Sequence, residues 1–418
     1  MILLSIVLIG CQTESEPLDS GDEISDTHGP TWYSEVKPII EHNCQGCHKT
    51  GDLSGISLAT YEDVVAWALP VRTSVENRTM PPWLAEPDCN SYQNDFSLSD
   101  EEVNTILSWV DAGTPEGDPS TAAEEVAPWQ PPALDRVDLS LALPTEYTPT
   151  SFPDDYRCFL VEWPYEESVW VTGYDIQPGN DVIVHHVIPY IINPSDVPSY
   201  QALNDEDDEP GYSCYGGPGG GLTTLLNTRW LGSWAPGGGA AIYPDGVGVE
   251  IAPGSMIAIQ MHYYGSGGDG SDQTQINIKV ETEEQDWANI QPWTDVAWVA
   301  GAGMDIPANT DDVSHSFSYT LSNSNFVIQN ASLHMHTLGR SGSLKIRHAD
   351  GSETCLLEID KYDFNWQRGY TFEEPVVVSS GDTVELNCTW DNPTDNDVSW
   401  GDGTDDEMCL GVTFINGN

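Results

Sequence analysis

The chain has 418 residues, enough for two to four domains, and sets 13 Lys and Arg against 67 Asp and Glu, a formal charge of −54. So few cations exclude a nucleic-acid phosphate backbone or an anionic lipid surface as partner, because little is available to displace counterions. With 39% hydrophobic residues, 15 Trp and 17 Tyr, the chain can build packed cores, and its acidic surface reads as a solubility adaptation.

Residues 1–10, MILLSIVLIG, are apolar and stop at Cys11. Leu8-Ile9-Gly10-Cys11 has the form of a lipobox, in which the cysteine after a small residue is lipidated and becomes the mature N-terminus. A signal peptide over 1–10, lipidation at Cys11 and an acidic tether over 11–30 are therefore expected. No Lys or Arg precedes the apolar run, which leaves a truncated ordinary signal peptide as the alternative. Both readings imply export. The lipoprotein reading implies the periplasm or outer-membrane surface of a bacterium, with membrane contact through acyl chains only. No later stretch is apolar for long enough to span a bilayer.

Apolar residues follow at helical spacing in TWYSEVKPIIEHNC: Tyr33, Val36, Ile39 and Ile40. Near 100, Ser99 and the acids after it form a helix start. Val103, Ile106, Leu107 and Val110 share one face, and Gly113 ends the pattern. Between these lies Cys44-Gln45-Gly46-Cys47-His48. This spacing attaches haem c: two thiols of one turn add to the vinyl groups, and the adjacent His48 lies under the iron. Met80, in a loop stiffened by Pro81 and Pro82, is expected as the sixth ligand, where a thioether raises the potential of a one-electron carrier. A zinc or redox cysteine pair is the bland alternative. His42 is a rival axial ligand, read as a solvated helix residue. The stretch resembles a class I cytochrome c domain, so a small all-α cytochrome c-like haem domain is expected over 31–118. The Pro-, Ala- and acid-rich residues 119–135 follow as a linker.

From 136 the pattern changes to short β-branched or alternating runs such as SVWVTGYDI, DVIVHHVIPYII, SMIAIQMHYY and DTVELNCTW, punctuated by Gly, Pro, Asn and Asp. This is the pattern of all-β sandwiches, and it is too long for one. Two jelly-roll-like sandwich subdomains are expected, over 136–290 and 291–418.

Most of the ten histidines fall in groups: His185-His186, His262, and His334-x-His336, with Met408 downstream. His334 and His336 are two apart on a strand and share a face. His185 and His186 are adjacent, so on a regular strand they point opposite ways. Both can reach one metal only if the backbone twists or the rings use different nitrogens. Imidazoles with one thioether and no carboxylate suit copper. A lone His262 in an apolar strand would be an ordinary hydrogen-bonded core residue; the grouping argues for a metal.

The motifs VHHV, QMHYY, LHMHTLGRSG and DEMC, in this order over residues 150–418, resemble the copper type II, ascorbate-dependent monooxygenase family. The resemblance implies two coppers. His185, His186 and His262 match the electron-storing site; His334, His336 and Met408 match the site that binds O2 and attacks a C–H bond. Gln260 matches a glutamine near the path between them. It also implies disulfides Cys388–Cys409 and Cys158–Cys214. Cys89 and Cys355 are then left, and their pairing would pin the haem domain to the second sandwich. Two positions depart from the peptide-amidating members: Ser332 replaces an arginine that holds a substrate carboxylate, and Val412 replaces a tyrosine. Peptide amidation is thereby disfavoured.

The expected function is a copper- and haem-dependent monooxygenase that hydroxylates a small organic substrate with O2. The haem, reloaded by an external one-electron donor, passes electrons to the His185/His186/His262 copper. The alternative is a non-catalytic haem and copper electron-transfer lipoprotein; a surface adhesion module with vestigial sites is weaker still. His28, His315 and His348 read as exposed, and the aromatic run DFNWQRGY as sandwich packing.

Overall fold

A computed structural model describes residues 29–49, 55–124, 126–214, 217–219, 228–236, 238–264 and 270–417. The expected signal peptide, Cys11, His28 and nearly all of the tether lie outside the described residues. Among the described residues, no helix is long and apolar enough to cross a membrane.

A π-helical turn, Trp32–Val36, leads into α1 (Lys37–Asn43), followed by α2 (Tyr61–Ala66), α3 (Ala68–Glu76) and α4 (Asp100–Asp111). Thr60 and Ser99 form capping boxes with Asp63 and Glu102, which explains where α2 and α4 begin. Their apolar faces meet around Val36, Ile40, Val64, Ile106 and Trp109.

The small all-α cytochrome c-like domain expected over 31–118 is nevertheless not there. The molecule is built mainly of β-sandwich sheets, and the N-terminal helices do not close a domain of that kind. The connection between α3 and α4 leaves the helical cluster. Ala85 and Tyr92 are buried in the core of the second sandwich, Tyr92 forms a β-bridge with Phe372, and Cys89 is bonded to Cys355. The physical reason lies in PPWLAEPDCNSYQNDF: it has no helical period, and its rings find more apolar surface on the sandwich than among short helices. Met80 stands where this departure begins, half-buried and outside the apolar cluster against which Cys44 packs.

The β region opens with β1 (Leu139–Ala142), β2 (Asp154–Glu162), β3 (Val169–Gln177) and β4 (Val184–Ile192). After α5 (Val197–Glu206) come β5 (Tyr212–Ser213), β6 (Arg229–Trp230), β7 (Ala241–Ile242), β8 (Val247–Ile251), β9 (Met256–Tyr264) and β10 (Gln275–Glu281). Then follow β11 (Asp286–Trp293), α6 (Val296–Val299), β12 (Thr310–Thr320), β13 (Phe326–His334) and β14 (Gly339–Arg347). The chain closes with β15 (Glu353–Ile359), β16 (Tyr370–Val378), β17 (Thr383–Asn392) and β18 (Leu410–Gly417).

These strands form a five-stranded sheet β5-β2-β9-β4-β6, a four-stranded sheet β12-β17-β14-β15, and a nine-stranded sheet β1-β10-β3-β8-β11-β18-β13-β16 in which β7 also pairs with β3. The large sheet serves both sandwiches. One half covers the five-stranded sheet through Phe159, Val171, Ile191, Ile257 and Ile276; the other covers the four-stranded sheet through Ile328, Leu344, Leu386 and Trp390. The halves join where β8 and β11 pair in parallel, and β11 crosses the point 290/291 at which the sequence pattern divides. Cys158–Cys214 and Cys388–Cys409 are disulfides, one in each sandwich.

Candidate metal centre

His186 on β4 lies directly opposite His262 on β9. The β4–β9 register shifts between Val184 and His186, so His185 is an extra residue in a bulge. A bulge re-aims a side chain and sharpens the local twist. It resolves the difficulty of two adjacent histidines, and donor atoms of His185, His186 and His262 all lie within 4.8 Å of one another.

The hydrogen bonds decide which nitrogens are available. His262 Nε2 donates to Asp154 Oδ1 at 2.8 Å, because an ionised carboxylate can only accept. Burial raises the Asp154 pKa, but the bonds from His262 and Thr404 outweigh it and hold the carboxyl below its ordinary range. The bare Nδ1 of His262 therefore faces His186 Nδ1 at 3.4 Å. His185 Nδ1 is buried with no hydrogen-bond partner. A buried orphan acceptor beside two further ring nitrogens fits an absent cation. Tyr156 stacks on His262 at 4.0 Å with the rings 8° apart, which fixes the imidazole plane.

The second group hangs from the end of β13. His334 is its last residue, Met335 is fully buried in the sandwich core, and His336 follows on the same side as His334, their ring centroids 5.1 Å apart. His336 Nδ1 lies 3.0 Å from the Asp406 carbonyl, which only accepts, so the proton is on Nδ1 and Nε2 is bare. His334 Nδ1 is hydrogen-bonded to the amide oxygen of Gln367, with the same consequence. Met408 is half-buried and borders the same cavity as both rings. Its neighbour Glu407 accepts from His336 N at 2.8 Å, Leu338 N at 2.6 Å and Trp390 Nε1 at 2.8 Å. Burial pushes the Glu407 pKa up to about 7 despite those bonds. The next residue, Cys409, is tied to β17 through Cys388.

The two groups adjoin. The His186 and His334 centroids are 6.3 Å apart. Phe364 stacks on His185 at 4.6 Å and lies 5.9 Å from His336. Burial, and then the neighbouring imidazoles, hold His185 and His334 down to about 3; burial brings His336 to about 4, and His186 and His262 are also lowered. All five rings are thus neutral near pH 7, the form that ligates metals. A cavity of about 2010 Å³ opens beside His186, His334, His336 and Met408 and is bordered by Asn330, Ser332, Leu410 and Val412 of the large sheet. Five neutral imidazoles with a thioether nearby form a donor set suited to copper.

Residues 299–415 match the copper type II ascorbate-dependent monooxygenase family, C-terminal domain. The matched span contains His334, His336 and Met408, and it supports a copper-dependent oxidoreductase. Among solved structures, PNGase F, a glycosylasparaginase from Flavobacterium meningosepticum, overlaps 67% of this chain and 96% of its own at 8% identity and a TM-score of 0.29. PNGF-II overlaps 67% and 65% at 12% identity and a TM-score of 0.26. Overlaps at these TM-scores carry no argument about this chain.

The remaining expected residues take varied places. Gln260 is buried on β9, and its amide donates to the carbonyls of Cys214 at 2.9 Å and Gly217 at 3.2 Å, the latter bordering the cavity. Ser332 and Val412 are cross-strand partners on the cavity wall. Cys44 is half-buried and Cys47 exposed, and the Trp129 carbonyl crosses closely over Gly46 between them. None of Cys44, Cys47, His48 or Met80 borders the large cavity. His42 is exposed; its Nδ1 is bonded to the Ala127 carbonyl. His315 and His348 are half-buried and bonded, to the Asp305 carbonyl and to Asp382 and Thr354, rather than exposed.

Sequence reasoning missed Asp154, Tyr156, Phe364, Gln367 and Glu407. Glu407 stands inside the DEMC run, and Phe364 and Gln367 inside the aromatic run DFNWQRGY, so a signal was present in both. Asp154 had none: its role depends on β2 lying beside β9.

Proposed function

We propose that the chain is an exported copper-dependent monooxygenase that hydroxylates a C–H bond of an uncharged organic molecule with O2. The observation that carries this reading is the protonation pattern: carboxylate, carbonyl and amide acceptors hold the outward nitrogens of three rings and leave bare nitrogens in two adjoining sets. The match over 299–415 supports the same chemistry.

His185, His186 and His262 would hold one ion, and His334, His336 and Met408 the other. Copper bound there supplies one-electron storage and dioxygen chemistry. The chain's own residues do the rest. Asp154, Gln367 and Asp406 orient the imidazoles, Tyr156 and Phe364 cover ring faces, and the cavity receives the organic molecule. Ser332 offers no cation for a carboxylate. Of the two arginines bordering the cavity, Arg229 is bonded to the Glu250 carbonyl, and Arg368 lies over the rings of Phe96 and Trp83 with its buried Nε left without a hydrogen-bond partner. The serine at position 332, in place of a carboxylate-holding arginine, is what favours a neutral substrate.

Hydroxylation with O2 consumes two electrons beyond those of the C–H bond, so an external one-electron donor is required. Covalent haem at Cys44 and Cys47, with His48 beneath it, is the finer part of the proposal. Its support is the motif itself, Cys44-Gln45-Gly46-Cys47-His48. Met80 is not assigned to that group. Lipidation at Cys11 rests on the lipobox alone.

The test is copper loading followed by metal analysis and O2-uptake measurements over a panel of hydrocarbons, amines and peptides. Two coppers per chain with substrate-dependent uptake support the enzyme. Bound copper with no uptake on any compound overturns it and leaves the electron-transfer lipoprotein.

A further inference from the structure

Cations are scarce in this chain and carboxylates abound, 13 Lys and Arg against 67 Asp and Glu, so an arginine without an acid calls for a reason. Arg72, Arg78, Arg136, Arg157, Arg340 and Arg347 all pair with carboxylates. Arg368 does not. Its Nε is buried with no hydrogen-bond partner, and no ion pair reaches its guanidinium among the described residues. Asp95 acts on its charge, but is exposed, and its Oδ1 accepts from Ser97 N at 2.7 Å. Burial opposes the charge, yet a guanidinium stays protonated, so an unpaired cation is held here.

What holds it is a cage of rings. The guanidinium carbon lies 4.8 Å from the Phe96 centroid, 5.0 Å from Trp83, 5.9 Å from Tyr370 and 6.0 Å from Trp129. Ring faces attract a cation, but they leave its N–H groups without acceptors. Trp129 brings a second such donor, for its Nε1 is also buried without a partner. Two orphan donors in one cage point to an acceptor that would join them.

Three segments build the cage. Trp83 and Phe96 come from the connection between α3 and α4, Trp129 from the stretch before β1, and Tyr370 from β16. The Trp129 carbonyl crosses Gly46, between Cys44 and Cys47, and its N donates to the His42 carbonyl at 2.8 Å. The cage thus abuts the CxxCH turn. Gln367 reaches His334, whereas Arg368 beside it enters the cage and borders the large cavity.

We propose that Arg368 and Trp129 bind a carboxylate carried on an apolar body, at the junction of the CxxCH turn and the second sandwich. The planar fork of a guanidinium matches the two oxygens of a carboxylate, and the indole N–H adds a further donor. The surrounding rings suit an apolar body and disfavour a strongly hydrated anion. One source is a haem attached at Cys44 and Cys47, which carries carboxylates on an apolar macrocycle. The other is a free aromatic acid. The first source rests on the haem reading above; neither rests on copper.

The test uses the full chain without copper, with benzoate as probe and benzamide as its uncharged isostere. In the haem-free chain, tryptophan fluorescence should report benzoate binding about 10-fold tighter than benzamide binding, the worth of a charged hydrogen bond. Arg368→Gln should abolish that preference, and Arg368→Lys, which keeps the charge without the fork, should retain part of it. In the haem-attached chain benzoate should no longer bind, and Arg368→Gln should lower the midpoint potential, because losing a nearby cation favours the ferric state. Those two results assign the site to the haem. Benzoate binding that persists beside attached haem, with an unmoved potential, assigns it to a free acid. A chain that attaches no haem removes the first source, and the haem-free comparison then decides. Equal affinity for benzoate and benzamide, with no potential shift in Arg368→Gln, overturns the inference and leaves Arg368 a packing residue. The wild-type comparison needs no variant to fold.

Discussion

Asp154 Oδ1 receives His262 Nε2 at 2.8 Å and Thr404 Oγ1 at 2.6 Å, joining a donor on the first sandwich to the loop that carries Met408 on the second. One carboxylate thereby orients a ring and sets the distance between two elements remote in sequence. A half-buried acceptor with two donors is costly to lose, because the His262 proton it accepts is otherwise desolvated.

Asp154→Ala is expected to weaken copper binding at the His185/His186/His262 set by about 10- to 100-fold, the usual effect of removing the partner of a ligating histidine. Thr404→Val keeps the His262 bond and should leave that set close to wild type while loosening the Met408 loop. Competition titrations with a copper chelator separate the two; equal losses in both variants would contradict the orienting role.

Glu407 accepts from three protein donors beside His336 and Met408. Glu407→Ala strands them at about 1–3 kcal/mol each. Denaturant melts should show a loss of several kcal/mol. Trp390→Phe removes one donor and its bond together and should cost far less.

The pH dependence of the copper-free protein follows from the buried rings. An unfolded histidine titrates near 6.5, whereas His336 is held at about 4 and His185 and His334 at about 3 in the fold. Below pH 6.5 the unfolded chain binds protons that the folded chain refuses, so stability rises with pH across this window. It is fully present above about 6.5 and is lost as pH falls towards about 4 and then about 3. Thermal melts of the copper-free chain should descend steeply with acid, and the double variant His334→Ala, His336→Ala should flatten the slope.

The Cys89–Cys355 disulfide closes a separation of 266 residues and holds the segment around Tyr92 against β15 and β16. Replacing both cysteines by serine should cost about 2–4 kcal/mol. Limited proteolysis should then cut near residues 84–96, while copper binding at the five histidines persists. Protection of that segment in the variant would show that its rings alone suffice to dock it.

Legibility in the sequence tracked the range of the physics. His334 and His336 were legible as a pair because strand alternation is local, and Met335 between them is buried as that alternation requires. His185 and His186 posed a question that only a neighbouring strand could answer, since a bulge is a mismatch between two strands. The helix starts at Thr60 and Ser99 depend on four consecutive residues, and that at Ser99 was visible. The expectation of a cytochrome c-like domain failed for the opposite reason. CxxCH describes five residues, but whether a chain closes an all-α domain depends on where PPWLAEPDCNSYQNDF finds apolar surface, and it finds it on the second sandwich.

Composition, periodicity and motif spacing by themselves determined an acidic chain with β-sandwich cores and a set of soft and nitrogen donors in four short runs. Only the tertiary structure decided that those runs adjoin, which nitrogen of each ring is bare, and that Asp154, Phe364, Gln367 and Glu407 hold them. The reason is that a hydrogen bond or ring contact between sandwiches depends on strand register and sheet pairing, and neither is encoded within the short segments that it joins.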